Sequence, residues 1–126
     1  MVFSGIVRML KKTLKKEDKL KLKSEFENVR FLGEKVVSKG FLTVVAKSFD
    51  GLSNVRCGVI CSRKYSLLAV RRNRARRLLF ESFRLLKHEI QPCHIVLIPR
   101  KRMQDYKLAD TMAELKDSLQ KLKVLE

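Results

Sequence analysis

The chain has 126 residues, of which 45% are hydrophobic and 33% are charged. This length and balance favour one globular domain with a buried core over a disordered chain. The 29 Lys and Arg outnumber the 13 Asp and Glu, and the net charge of +16 indicates nucleic acid, an anionic membrane or acidic proteins as partners. Every apolar run is shorter than the roughly 20 residues of a membrane span, so we expect a cytoplasmic protein. We expect residues 1–16 to form a flexible basic extension and residues 17–126 to form the domain.

The first predicted element is a helix that begins near Ser24. Phe26 and Val29 lie three residues apart, as expected on one face of a helix. Ser24 is a candidate N-cap and Gly33 is a candidate stop. Three strands are predicted next, over residues 35–38, 40–47 and 55–61. Asp50-Gly51 supplies a turn between the last two strands.

A second helix, a strand and a last helix complete the predicted order. The second helix covers residues 69–88 and is ended by Gln91-Pro92. Residues 94–98 are almost wholly apolar, which is typical of a strand covered on both faces. Asp105 is a candidate cap for the last helix, whose apolar seam consists of Leu108, Met112, Leu115, Leu119 and Leu122. This order predicts one small mixed sheet with helices packed against it.

The second helix carries the most informative segment of the chain. Residues 71–84 contain six arginines, while small and apolar side chains recur at helical spacing through the same stretch. One face of this helix presents Arg72, Asn73, Arg76, Arg77 and Arg84. Arginine binds phosphate oxygens in pairs and keeps its charge at physiological pH. A solvated basic face usually explains a charge run, but only Glu81 interrupts this one, so the sequence favours nucleic acid as the partner.

Cysteine and histidine raise two chemical alternatives. Four residues are possible zinc ligands, namely Cys57, Cys61, Cys93 and His94. Cys57 and Cys61 lie on an alternating strand, however, and no Cys-x-x-Cys pair is present. A two-histidine nuclease would use His88 and His94, and neither has a carboxylate or nucleophile beside it in a known arrangement. Since phosphate-binding glycine loops are also absent from the sequence, we expect another component to carry out any reaction.

The basic helix and the residues before it resemble a known signature. Ser62-Arg63-Lys64 is followed by Ala69-Val70, Arg72-Asn73, Arg76-Arg77 and Glu81, with Phe83-Arg84 beyond. This arrangement resembles the protein subunit of bacterial ribonuclease P, and the likeness runs from Leu20 to about Leu122. It includes the Leu20, Phe26 and Gly33 pattern, the apolar strand after the basic helix, and the closing helix.

The resemblance implies an α+β fold, an α/β sandwich of three helices on a small mixed four-stranded sheet, like the second domain of a small-subunit ribosomal protein. It also implies a left-handed β-α-β crossover, an exception to the usual hand. The implied function is that of a subunit of an endoribonuclease, which binds the catalytic RNA of ribonuclease P and the 5′ leader of precursor tRNA and assists removal of the leader. The resemblance further implies that magnesium is bound mainly by the partner RNA, with no protein-bound cofactor and neither DNA nor a membrane as partner.

Site residues follow from the resemblance by matching position. RNA contacts are expected from Arg63, Lys64, Arg71, Arg72, Asn73, Arg74, Arg76, Arg77 and Arg84. A cleft for the single-stranded leader is expected from Lys23, Phe26, Arg30 and Arg56. Phe26 would stack on a base, and plain core packing explains its position equally well. Asn73 would cap the helix start or hydrogen-bond the end of the preceding strand, which would orient the neighbouring arginines, or it would touch RNA directly.

Four features depart from the family pattern, and one is that Leu67-Leu68 stands where the family usually has a glycine before the Ala-Val pair. Phe80 stands where the family usually has a basic residue. Arg30 and Val44 stand where it often has aromatic residues for the cleft, and Phe31 would substitute only with a shift of helix register. A general RNA-binding or ribosome-associated module is the alternative function. A DNA-binding helix-turn-helix protein fits poorly, because the basic helix has no short partner helix before it.

Overall fold

The computed structural model describes residues 18–47 and 55–125. Its elements in chain order are helix α1 (Lys23–Leu32), strands β1 (Glu34–Val37), β2 (Phe41–Ala46) and β3 (Arg56–Val59), helix α2 (Ala69–Leu86), strand β4 (His94–Pro99) and helix α3 (Leu108–Lys121). Short 3₁₀ turns cover Lys87–Glu89 and Lys101–Asp105. The predicted extension over residues 1–16 and the predicted turn at Asp50-Gly51 lie outside the described residues.

The four strands form one mixed sheet in the order β1-β2-β4-β3. β2 is antiparallel to both β1 and β4, whereas β3 is parallel to β4. Since α2 connects β3 to β4, these elements make the expected β-α-β crossover, whose hand stays a prediction. β3 is shorter than the predicted strand over residues 55–61. Within the described ranges, three helices on a mixed four-stranded sheet confirm the predicted fold class.

Helices cover both faces of the sheet because its central strands are apolar on both sides. Alternate residues of a strand point to opposite faces, so Phe41 and Val45 join a large cluster while Val44 and Ala46 join a small one. The large cluster includes Leu79 and Phe83 of α2 and Leu115 and Leu119 of α3. The small cluster includes Val29 of α1. None of the helices in the described ranges combines the length and apolarity needed to cross a membrane.

Helix α1 begins at a different cap from the one predicted. Its N-cap is Leu22, whose backbone N–H donates to the Glu25 carboxylate at 2.9 Å. The prediction of Ser24 as the cap is wrong, because Ser24 lies inside the first turn and the glutamate satisfies the free N–H instead. The predicted stop at Gly33 is confirmed. A Cβ on Gly33 would lie 2.3 Å from the Val29 carbonyl oxygen, so the chain turn here requires glycine.

The other two helices also have boundaries that differ from the predictions. α2 ends at Leu86, and the predicted last turn is instead the 3₁₀ turn Lys87–Glu89. The N-cap of α3 is Lys107, whose N–H donates to the Asp110 carboxylate at 2.9 Å. The prediction of Asp105 as the cap is wrong, because this residue ends the preceding 3₁₀ turn. In both α1 and α3, an acid three residues after the cap takes the role assigned to an earlier residue.

Candidate nucleic-acid interface

The turn after β3 and the first turns of α2 form a basic surface, which we call the α2 surface. It consists of Arg63, Lys64, Arg72, Asn73, Arg76 and Arg77, all exposed except the half-buried Arg72. Two of these guanidinium groups are anchored. Arg72 Nη1 donates to the carbonyl oxygen of Ser66 at 2.8 Å, and Arg76 Nη2 donates to that of Cys61 at 3.2 Å. A guanidinium has five N–H donors, so each anchored group keeps donors for a ligand.

Asn73 lies in the second turn of α2, next to Arg76. The N-cap of α2 is Leu68, so Asn73 does not cap the helix. Its Oδ1 lies 3.5 Å from Arg76 Nη1, at the outer limit of a hydrogen bond. The side chain is exposed. This position suits both remaining roles, namely orienting Arg76 and contacting RNA.

Two of the arginines predicted to bind RNA, Arg71 and Arg74, also donate hydrogen bonds to an amide side chain and to the protein backbone. Arg74 donates to the carbonyl oxygens of Gln104 at 3.3 Å and Tyr106 at 2.6 Å. Arg71 donates to Gln104 Oε1 at 3.1 Å. Gln104 in turn donates through Nε2 to the carbonyl oxygen of Tyr65 at 3.2 Å. Arg71 and Arg74 therefore fasten α2 to the segment between β4 and α3.

Arg77 and Arg84 differ in the hydrogen bonds and ion pairs that their side chains make within the protein. Arg77 is exposed and makes no hydrogen bond or ion pair within the described part of the chain. Arg84 is half-buried and pairs with Glu81, its Nε donating to Oε2 at 3.1 Å. The hydrogen bond from Arg84 lowers the pKa of the Glu81 carboxyl. Of the two arginines, Arg77 is the one free for a ligand.

Phe80 interrupts the charge of α2 but has a cation beside it. The ring is half-buried and packs against the large cluster. Lys19 Nζ lies 4.7 Å from the ring centroid, within the range of a cation–π interaction. Lys19 thus places a positive charge beside a position where the family usually has a basic residue. No local sequence pattern indicates this contact, because Lys19 lies far from α2 in the chain.

A groove of about 520 Å³ lies between α1 and the end of β3. Its cations are Lys21, Lys23, Arg30 and Arg76. Its carboxylate, Glu27, lies 3.9 Å from Lys23 Nζ. Three of the four residues predicted to form the leader cleft line this groove, namely Lys23, Phe26 and Arg30.

The ring of Phe26 belongs to both the core and the groove. It is half-buried, packs against the small cluster and lines the groove. A Cβ on Gly58 would lie 2.3 Å from Phe26 Cε1, so β3 has no side chain where the ring rests. The two roles considered for Phe26, core packing and cleft residue, are therefore compatible in one position.

Arg56, the fourth predicted cleft residue, is not among the residues that line the groove. Its Nη1 donates to the Glu25 carboxylate at 3.0 Å. The pKa of Glu25 is lowered, first by the N–H of Leu22 and in smaller part by Arg56. Val44 is buried beneath α1, and Phe31 is 89% exposed and outside the groove. Phe31 therefore does not replace the aromatic residues that the family often has at positions 30 and 44.

The three cysteines are free and buried. Burial raises the pKa of the Cys93 thiol to about 12 and also raises the pKa values of Cys57 and Cys61. The pKa of His94 is lowered, first by burial and then by Arg56. Across residues 18–47 and 55–125, no three His, Cys, Asp or Glu side chains are grouped so that they could hold a metal ion.

Known proteins are similar to this chain over most of its length. The sequence model of the ribonuclease P family matches residues 14–123. The ribonuclease P protein component of Maridesulfovibrio salexigens is 35% identical over 101 residues, which cover 79% of this chain and 81% of the relative. That of Exiguobacterium sp. is 32% identical over 111 residues, which cover 88% and 95% of the two chains.

Solved structures share the fold. The RNase P protein from Thermotoga maritima has a TM-score of 0.71 at 27% identity, covering 82% of this chain and 96% of that one. The RNase P protein of Staphylococcus aureus has a TM-score of 0.77 at 24% identity, covering 86% and 98%. The resemblance carried by the basic helix is thus confirmed, and the chain belongs to the ribonuclease P family as a protein component.

Proposed function

We propose that this chain is the protein subunit that binds the catalytic RNA of ribonuclease P through its α2 surface and the 5′ leader of precursor tRNA through its groove. The observation that carries the proposal is the position of Arg76. This residue lies on the α2 surface and also lines the groove. Two RNA-binding sites that share one guanidinium would bring the leader and the catalytic RNA together.

The α2 surface suits phosphate groups. Arg72 and Arg76 are held by backbone carbonyls of the preceding segment, so less side-chain freedom is lost when a ligand binds. Arginine forks bind phosphate oxygens through charge-assisted hydrogen bonds. Contacts to phosphates position an RNA without reading its sequence. The α2 surface would therefore recognise the shape and charge of its partner RNA.

The groove suits a single strand. Cations at its sides would follow the strand's phosphates, and Phe26 offers a ring on which a base can stack. Stacking on an aromatic side chain contributes roughly 1–3 kcal/mol for any base. The groove would therefore accept leaders of differing sequence.

Hydrolysis belongs to the partner RNA and its magnesium ions in this proposal. Magnesium prefers carboxylate, carbonyl and water oxygens. The α2 surface consists of cations and one amide, so its residues do not fit this ion. The chain's own side chains bind and orient the two RNA strands. Any other nucleic acid would compete with these RNAs for the α2 surface and the groove.

Cleavage of a precursor tRNA by the cognate catalytic RNA, with and without this chain, tests the proposal at low magnesium concentration. We expect the chain to raise the cleavage rate and to bind precursor tRNA more tightly than mature tRNA in the assembled complex. Mature tRNA is the matched control because it lacks only the leader. A general RNA-binding module would bind the catalytic RNA without stimulating cleavage, and that result would overturn the proposal.

A further inference from the structure

A second group of cations lies on segments outside both the α2 surface and the groove. Lys39 lies in the turn between β1 and β2, and Arg100, Lys101 and Arg102 follow β4. Together they line a cavity of about 400 Å³, which we call the β-turn site. Among the residues that the structure describes, no acidic side chain lines it.

The sheet topology places the β-turn site at the same end of the sheet as the start of the α2 surface. Pro99 at the end of β4 is paired with Phe41 at the start of β2. β3 runs parallel to β4, with Val59 paired with Leu97, so β3 ends at this end as well. The segment that leads from β3 to α2 therefore leaves the sheet at the same end as the β-turn site.

Hydrogen bonds hold the β1–β2 turn in place. Arg100 donates through its backbone N–H to the Gly40 carbonyl and through Nη1 to the Ser38 carbonyl, both at 2.8 Å. The Glu114 carboxylate of α3 accepts the Gly40 N–H at 3.0 Å. A Cβ on Gly40 would lie 2.4 Å from Cε2 of Tyr106, so the turn rests directly on that ring. The β1–β2 turn is thus fixed by contacts with Arg100, Tyr106 and Glu114.

The remaining cations of the site are free for a ligand. Lys39, Lys101 and Arg102 are exposed, and within the described ranges none of them forms a hydrogen bond or an ion pair through its side chain. The nearby carboxylate of Glu114 is already bound by the Gly40 N–H and by the Tyr106 hydroxyl at 2.7 Å. Exposed cations that form no ion pair and lie on a fixed backbone favour a polyanion.

We propose that the β-turn site binds the phosphate backbone of the same RNA that the α2 surface binds, as a second contact at this end of the sheet. The proposal rests on the proposed function. The segment that begins at Lys101 is joined to α2, because Gln104 accepts hydrogen bonds from Arg71 and Arg74. Two phosphate-binding sites on one connected scaffold raise each other's effective affinity for a single RNA.

The test replaces Lys39, Lys101 and Arg102 by Gln in one variant of the full chain and measures its dissociation constant for the cognate catalytic RNA over a range of salt concentrations. Arg100 is left unchanged because it holds the turn. A plot of log affinity against log salt has a negative slope, and we expect its magnitude to decrease by about 2, because each phosphate contact contributes roughly 0.7–0.9. We also expect affinity to fall about tenfold or more at low salt.

Two controls separate a local contact from the loss of net charge. Replacing Lys116, Lys121 and Lys123 by Gln removes the same charge from exposed positions in and just after the second half of α3, none of which lines the β-turn site. This variant should keep the slope within about 0.5 of the unaltered chain. A charge-preserving variant (Lys39→Arg, Lys101→Arg, Arg102→Lys) should keep both the slope and the affinity.

The outcomes separate failure of this inference from failure of the proposed function. Equal losses in the two Gln variants, while the unaltered chain still binds the RNA and stimulates cleavage, would overturn the β-turn site alone. Failure of the unaltered chain to bind the RNA would overturn both proposals. Weaker binding of the β-turn variant to anionic lipid vesicles, with RNA binding unchanged, would overturn the assignment to RNA. Circular dichroism melting of each variant checks that the fold is retained.

Discussion

The ring of Phe26 occupies the space that a side chain on Gly58 would need. A Cβ on Gly58 would lie 2.3 Å from Cε1 and 2.5 Å from Cζ of this ring. Glycine inside a strand ordinarily costs roughly 0.5–1 kcal/mol relative to alanine. Its presence in β3 is therefore explained by packing, since it lets a helix side chain rest on the strand backbone at the groove.

Gly58→Ala should move the Phe26 ring and lower the free energy of unfolding by about 1 kcal/mol, because the new Cβ overlaps the ring. Urea unfolding measures this cost. In a Phe26→Ala background the same substitution should cost less, since the ring that it displaces is gone. A cost of the same size in both backgrounds would show that something other than the ring excludes the Cβ.

Phe26→Leu should weaken binding of a single-stranded leader by about 1–3 kcal/mol, because leucine keeps apolar bulk but offers no ring for a base. Affinity for the catalytic RNA should be unchanged. Phe31→Leu is the matched control, because Phe31 is on the same helix but is 89% exposed and outside the groove. Fluorescence anisotropy with a labelled leader oligonucleotide measures both. Equal effects of the two substitutions would contradict a stacking role for Phe26.

Arg77→Gln should weaken RNA binding, whereas Arg74→Gln should lower the stability of the fold. Arg77 is exposed and makes no hydrogen bond within the described ranges, so its loss should lower the salt slope of RNA binding by about 1 and leave stability unchanged. Arg74 donates to two backbone carbonyls, so its loss should lower the free energy of unfolding by about 1–2 kcal/mol. Salt titration and urea unfolding of both variants check this division. A stable Arg74→Gln variant with a reduced salt slope would reverse it.

Glu25→Gln should destabilise the chain in a pH-dependent way. The folded state lowers the pKa of Glu25 below 4.5, chiefly through the N–H of Leu22, so its charge stabilises the fold at pH values above 4.5. That contribution, about 1 kcal/mol, is lost as pH falls through the folded pKa. The stability difference between the variant and the unaltered chain should therefore close in acid.

Unfolding by urea at a series of pH values measures the contribution of Glu25. Glu27→Gln serves as the control, because Glu27 is on the same helix and its one ion pair among the described residues is an exposed 3.9 Å pair with Lys23. Its effect should be small at every pH. A constant difference for Glu25→Gln across the whole range would indicate a packing effect without a role for the charge.

The predicted elements were most accurate where hydrophobic pattern alone decides structure. β4 is apolar on both faces and is buried on both, and α2 begins at Ala69 as predicted. The helix caps were less predictable because two residues compete for each free N–H. Ser24 and Asp105 have suitable side chains, but Glu25 and Asp110 reach back to the cap from inside the helix. Such choices depend on the path of the chain before the helix.

The sequence was enough to predict the cations of the candidate site. It was not enough to predict which of them bind the protein's own backbone. The sequence pattern places Arg74 and Arg77 in the same basic run. Arg74 binds carbonyl groups about 30 residues further along the chain, and no local pattern encodes that contact. The β-turn site was missed for the same reason, because Lys39 and Lys101 lie far apart in sequence and meet only through the pairing of β2 with β4.

Cys57, Cys61 and Cys93 all belong to the cluster between the sheet and α2. A thiol reacts with an alkylating agent only after it reaches solvent and loses its proton. Cys57 and Cys93 are fully buried, so they can be labelled only when the layer beneath the basic helix opens, whereas Cys61 also lines the groove. Labelling rates of Cys57 and Cys93 in the unmutated chain would report how often that layer opens. Their change on adding RNA would show how far a ligand bound to the outside of the helix suppresses this opening.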